Sequence, residues 1–219
     1  MIVVVVGMHR SGTSLVGGLL HKSGISMGIA FRKALPENPR GFFEDEDFRI
    51  LNDEILEHSN HRVKAWSLNF ERLAFRGDHV EAATALVVRR QASLARWGWK
   101  DPRTCLTLGF WLEILTRASL LADLRLVLVD RDEAAVAESL VRRGNVPDRK
   151  SGIEWARMYR RSLEAAMHAA PPVLRTARIS YEGLLYGRDV DVLERFCDAP
   201  LDRSFVDLRL DHCDRHPLT

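Results

Sequence analysis

Gly7, Arg10, Ser11, Gly12, Thr13 and Ser14 bring glycines, a cation and hydroxyls together in one short stretch, directly after the apolar run Ile2-Val3-Val4-Val5-Val6. That combination suits an oxyanion site. Where a strand turns into a helix, the first helical N–H groups lack internal partners and carry the positive end of the helix dipole, and glycine lets the main chain wrap closely around the anion. Arg10 adds a forked, charged donor. A strand-turn-helix with incidental small residues is the plain alternative, and the coincidence of cation, hydroxyls and glycines at one helix start outweighs it.

Gly7 and Gly12 fit the first half of the phosphate-loop pattern G-x-x-x-x-G-K-[ST], but Thr13 stands where the lysine belongs. Nucleoside triphosphate chemistry needs that lysine on the β- and γ-phosphates. The expectation is a phosphate site that needs no metal. A kinase-like alternative using ATP and magnesium stays open through Asp130, which ends an apolar run as a magnesium-binding aspartate would.

Three further stretches carry candidate groups. Lys100-Asp101-Pro102-Arg103 follows a short run of strand character, and Arg131 precedes Ser139 by eight residues across a helix start. An arginine paired with Asp130 or Asp132 is the structural alternative for Arg131, and an ion pair is the alternative for Arg103. Asp101 suits orientation of the neighbouring cations. Phe42-Phe43-Glu44-Asp45-Glu46-Asp47 places acids at a helix start, where complementing the dipole explains some of them.

Taken in order, these motifs resemble the sulfotransferase superfamily, specifically its carbohydrate and tyrosylprotein branch and bacterial-type members. His9-Arg10-Ser11-Gly12-Thr13-Ser14 is similar to the loop that holds the 5′-phosphosulfate of 3′-phosphoadenosine 5′-phosphosulfate (PAPS). The resemblance implies that Arg10, Ser11, Gly12, Thr13 and Ser14 hold that group, that Arg131 and Ser139 hold the 3′-phosphate, and that Tyr181 lies at the adenine end. It further implies that Lys100 neutralises charge on the leaving phosphate and that Arg10 assists. A glutamate takes the acceptor proton in such enzymes; Glu44 is the choice here, with Glu37, Glu46 and Asp47 open, and His9 a separate candidate base. The product is adenosine 3′,5′-bisphosphate (PAP), the acceptor a small molecule, with a carbohydrate or glycolipid hydroxyl favoured. The C-terminal R-K-G segment of the cytosolic members is absent, which points away from the phenol and steroid branch. The resemblance spans roughly residues 2–185, and a non-catalytic nucleotide-binding protein is a third reading.

These groups need a scaffold that delivers strand ends to one edge. Apolar β-branched runs at 2–6 and 124–129, a short strand beginning at Trp97 and a fourth at 173–179 predict a sheet whose strands are buried on both faces. Between them, helical spacing predicts helices from Thr13, from Phe48, and over 79–94, about 106–119, 153–169 and 190–197, with a short helix or turn at 181–186. Residues 24–30 read as an extended segment, 33–41 as a loop, and 61–78 as surface wrapping. Arg89, Arg90 and Arg96 read as a solvated helix end. Alternation of this kind predicts a three-layer α/β, P-loop-like fold with a mostly parallel central sheet flanked by helices, as a single domain over residues 1–219, its ligands at the carboxyl ends of the strands.

Composition narrows the classes. An apolar share of 46% against 28% charged residues is that of a soluble globular chain, and a net charge of +2 is too small for polyanion binding, so nucleic acid is not an expected partner. No apolar run reaches the length of a membrane span and the apolar start runs into the loop rather than a cleavage site, so a cytoplasmic protein is expected. Cys105, Cys197 and Cys213 have neither disulfide nor metal spacing. Oligomeric state carries no signal in these motifs.

Overall fold

In the computed structural model, residues 1–31, 38, 40–61 and 73–206 are described. Along the chain run β1 (Ile2–Val6), α1 (Thr13–Lys22), α2 (Glu46–His58), α3 (Gly77–Ser93), β2 (Trp97–Lys100), α4 (Thr104–Arg117), β3 (Leu124–Asp130), α5 (Glu133–Arg142), α6 (Arg149–His168), β4 (Arg175–Ser180), α7 (Tyr181–Leu185) and α8 (Val190–Cys197). The strands form one sheet in the order β2-β1-β3-β4, and every pairing is parallel.

The β-branched run of β1 is buried along its whole length because both faces are covered. Ile2, Val4 and Val6 pack with Trp97, Trp99, Leu126 and Leu128 against the layer of α2 to α6. Val3 and Val5 face the other way, with Val127, Val129 and Ile179, against α1, α7 and α8. The period of two along each strand thus divides the core into two layers around the sheet. Phe48 of α2 stacks on Trp99 with ring centroids 4.3 Å apart, which anchors α2 over β2. Gly98 is required where β2 pairs with β1, since a Cβ there would lie 1.7 Å from the Val3 carbonyl oxygen.

After β1 the chain pairs β2 on one side, then returns over β1 to place β3 on the other. The crevice between the carboxyl ends of β1 and β3 is therefore the switch point, where an open parallel sheet offers room for a ligand.

The expected extended segment at 24–30 is tied to the sheet edge: Ser26 bridges Trp97, accepting from Gly98 N at 2.9 Å and donating to Arg96 O at 3.1 Å. α6 starts four residues ahead of the expected 153, because Asp148 caps it by accepting from Ser151 N at 2.7 Å. Two of the three arginines read as a solvated helix end require a correction. Arg90 is only 5% exposed and pairs with Asp45, while Arg96 donates to the carbonyls of Cys197 and Asp198, so neither belongs to a solvated helix end. Glu37, most of 61–78 and the segment after 206 lie outside the described residues.

Candidate active site

The β1–α1 loop is built from two left-handed residues, Arg10 at φ 70° and Gly12 at φ 93°. Between them Ser11 N donates to Met8 O at 3.1 Å and Ser11 Oγ to the same oxygen at 2.7 Å. The Ser11 proton is therefore committed within the turn. No side chain caps α1 and no acid sits in its first turn, which leaves the positive end of this helix uncompensated by its own residues. Thr13 is buried beside Gly7, and Ser14 is partly exposed.

Arg10 and Arg131 meet at the β1/β3 crevice. Arg131 Nη1 donates to the Arg10 carbonyl at 2.8 Å, and Arg10 Nε donates to Ser139 Oγ at 2.8 Å, so the loop, the end of β3 and α5 are joined. The Arg131 guanidinium carbon lies 4.2 Å from the centroid of the Tyr181 ring, and that ring covers Gly12 so closely that a Cβ there would stand 2.3 Å from Tyr181 Cδ2. Tyr181 takes this position because Ser180 caps α7, accepting from Gly183 N at 2.9 Å. Asp132 caps α5 through Ala135 N at 2.9 Å and Asp130 pairs with Arg178 at 2.7 Å, so the aspartate of the kinase-like alternative engages a cation of β4. A small cleft, open to solvent, extends the crevice past Gly7, Met8, Ser11, Arg131 and Tyr159.

Lys100 ends β2 beside α1. Its Nζ donates to Glu44 Oε1 at 2.9 Å and to Ser14 Oγ at 3.3 Å, and both charged side chains are nearly excluded from water. Two helix glycines allow this approach. A Cβ on Gly17 would lie 3.2 Å from Phe43 Cβ, and one on Gly18 would lie 2.8 Å from Phe43 Cε2. Phe43 itself turns left-handed at φ 51°, which brings the following residue over β2.

The other acids at this helix start have different partners. Glu46 pairs with Arg49 at 2.6 Å, and Asp47 with Arg90 at 2.8 Å. Asp101 accepts from Asn52 Nδ2, Arg103 N and Arg103 Nη1 at 2.9, 3.0 and 2.9 Å. Burial alone would raise the Asp101 carboxyl, but the Arg103 charge and these hydrogen bonds outweigh it and hold it below the usual range. Arg103 also reaches Asp53 at 2.6 Å, which is the ion-pair outcome for that residue.

His9 packs edge-on against Tyr159, with centroids 5.6 Å apart. Burial, reinforced by the Arg103 charge, pushes its imidazole down to about 3. Such a group stays neutral and is a weaker proton acceptor than an ordinary carboxylate, which counts against His9 as the base.

Two buried features had no distinct sequence signal. Asn52, on the apolar face of α2, accepts from Thr107 Oγ1 and Trp111 Nε1 while donating to Asp101. Arg90 looked like any arginine near a helix end. A polar residue inside the apolar spacing of α2 was the only available clue to Asn52.

Fold and site together define an α/β protein whose cations converge on the switch point of a parallel sheet. A family model described as "Sulfotransferase family" matches residues 3–199, and the chain belongs to that family, whose chemistry is sulfuryl transfer. Among solved structures it is similar to the sulfotransferase domain from the olefin synthase of Synechococcus PCC 7002. That likeness has a TM-score of 0.52 and 19% identity, and covers 93% of this chain and 75% of the other, which speaks for the fold. No curated protein matches the chain by sequence. Among the described residues no helix is long and apolar enough to cross a membrane.

Proposed function

We propose that the chain transfers a sulfuryl group from PAPS to a hydroxyl of a small-molecule acceptor, with a carbohydrate or glycolipid favoured. PAPS supplies the activated sulfuryl group, and PAP is left. The observation that carries this reading is the placement of Lys100 Nζ, 2.9 Å from Glu44 Oε1 and 3.3 Å from Ser14 Oγ. One cation is thereby held at the start of α1 and against a carboxylate at the same time.

The donor set suits a nucleotide bearing both 3′- and 5′-phosphates, because Arg131 reaches the Arg10 carbonyl and the Arg10 side chain reaches Ser139, which draws these groups together at the β1/β3 crevice. In this reading the start of α1, with Arg10, Ser11, Gly12, Thr13 and Ser14, binds the 5′ end. Arg131 and Ser139 bind the 3′-phosphate, and the Tyr181 ring borders the base. Glu44 takes the proton of the acceptor hydroxyl. Lys100, released from Glu44 as that proton arrives, places its charge on the oxygen that gains charge during transfer. Arg10 shares that task from the loop side.

Calorimetry with PAP and with ATP-magnesium tests the donor. Metal-independent PAP binding is expected, and a preference for ATP overturns the proposal. Radiolabelled PAPS with a panel of carbohydrate and glycolipid acceptors tests transfer, and PAP binding with no transfer to any acceptor would make the chain a nucleotide binder.

A further inference from the structure

Glu44 and Asp45 are neighbours whose carboxylates point in opposite directions into two buried ion pairs. On one side Lys100 holds Glu44, with side-chain exposures of 1% and 6%; on the other Arg90 holds Asp45, with 6% and 0%. Asp45 is extended, at φ −69° and ψ 124°, and successive side chains of extended backbone leave on opposite sides. The Asp45 carboxylate accepts from Ile29 N at 2.9 Å, from Asp47 N at 3.0 Å, and from Arg90 Nη2 at 3.1 and 2.9 Å. It ties residue 29, the start of α2 and the last turn of α3 to one point. Glu46 N adds a bond to Ala30 O at 2.9 Å. The left-handed Phe43 then leaves the peptide of Glu44 fixed between the Phe43 ring on α1 and the Asp45 anchor on α3.

We infer that Arg90 is a positioning residue for Glu44. Its guanidinium neutralises Asp45, and through Asp45 it fixes the backbone from which Glu44 reaches Lys100. The inference rests on the role proposed for Glu44 in transfer. Without Arg90 the bonds that tie Asp45 to α3 are lost and the segment opens, and where the Asp45 charge remains its need for water adds to that. A shift of about 1 Å in a reacting group costs on the order of a hundredfold in rate.

The test uses Arg90→Gln, Arg90→Lys, and Asp45→Asn/Arg90→Gln, the last removing both charges so that no lone buried charge threatens folding. Turnover is read as PAP released from PAPS with lactose as the acceptor. Arg90→Gln should lower turnover roughly a hundredfold in the native background and by less than about threefold in a Glu44→Gln background, since the two act through one group. PAP affinity should hold within about threefold, and Arg90→Lys should regain most of the turnover. The charge-free pair should lose turnover as Arg90→Gln does. With an active native chain, an equal loss with and without Glu44, or no loss at all, overturns the inference. A second readout needs no turnover: acylation of lysines by an N-hydroxysuccinimide ester, read by mass spectrometry. In Arg90→Gln and in the charge-free pair, labelling of Lys100 should rise about tenfold as the segment opens, against exposed Lys22 and Lys150 as references. Unchanged Lys100 labelling overturns the inference. If the native chain transfers to no acceptor of the carbohydrate and glycolipid panel while Lys100 labelling rises, the proposed function fails and the positioning role stands on the labelling.

Discussion

Arg10 on the β1–α1 loop and Ser139 on α5 meet side chain to side chain, Nε to Oγ at 2.8 Å, across 129 positions of sequence. Arg131 joins the same loop by donating to the Arg10 carbonyl. Residues that the sequence keeps far apart are thereby joined at one crevice, and under the proposed function a ligand with a single phosphate would satisfy only part of it.

Ser139→Ala should therefore separate ligands by their 3′ substituent. A hydrogen bond to a charged group contributes about 1.5–3 kcal/mol, so PAP affinity should fall roughly 10- to 100-fold while 5′-AMP binding changes little. Calorimetry with both nucleotides checks this, and equal losses would remove Ser139 from the 3′-phosphate.

The Lys100–Glu44 pair predicts an asymmetric stability cycle. Lys100→Met leaves Glu44 charged and shielded from water, at a cost of about 3–5 kcal/mol, whereas Lys100→Met/Glu44→Gln should recover most of that loss. Urea denaturation of the two variants and the native chain measures it. Glu44→Gln alone should lower PAPS turnover by about 10²–10⁴-fold if this carboxylate takes the acceptor proton.

Gly12 and Gly24 both sit at positive φ, 93° and 86°, but only Gly12 is covered by another residue. Gly24→Ala should cost about 1 kcal/mol from backbone strain alone. Gly12→Ala should cost more, because its Cβ would strike the Tyr181 ring, and PAP binding should fall as that ring and Arg131 are displaced. Paired denaturation and binding curves on the two variants distinguish strain from collision.

His9 sets part of the acid limit of stability. Its folded value near 3 lies below the ordinary 6.5, so the unfolded chain takes up a proton that the folded chain refuses, and the stability contributed by neutral His9 is present above 6.5 and lost as pH falls toward 3. The difference in unfolding free energy between the native chain and His9→Gln should change by about 1.4 kcal/mol per pH unit between pH 6 and 4, and stay flat above pH 7. A flat difference across the acid range would show that the imidazole is not held in its neutral form.

Much of the scaffold was legible because its signals are local. The run Ile2 to Val6 specifies a strand covered on both faces, the glycines and hydroxyls after it specify a turn into a helix, and parallel alternation places such turns on one edge. The start of α6 was not legible from apolar spacing, since Asp148 and its capped turn precede the first buried residues. Arg90 was misread for a related reason: a charge near a helix end is equally compatible with solvent and with a buried partner more than forty positions away.

By itself the sequence determined which groups exist and which strand ends carry them: Arg10 and Ser14 after β1, Lys100 after β2, Arg131 after β3. Only the tertiary structure decided which carboxylate faces Lys100. Glu44, Asp45, Glu46 and Asp47 are close chemical equivalents along the chain. The left-handed turn at Phe43, its seat on Gly17 and Gly18, and the Arg90 anchor behind Asp45 send one of them toward the site and the others to arginines. Ion pairing depends on distance and desolvation in three dimensions, and neither is encoded in residue type or spacing.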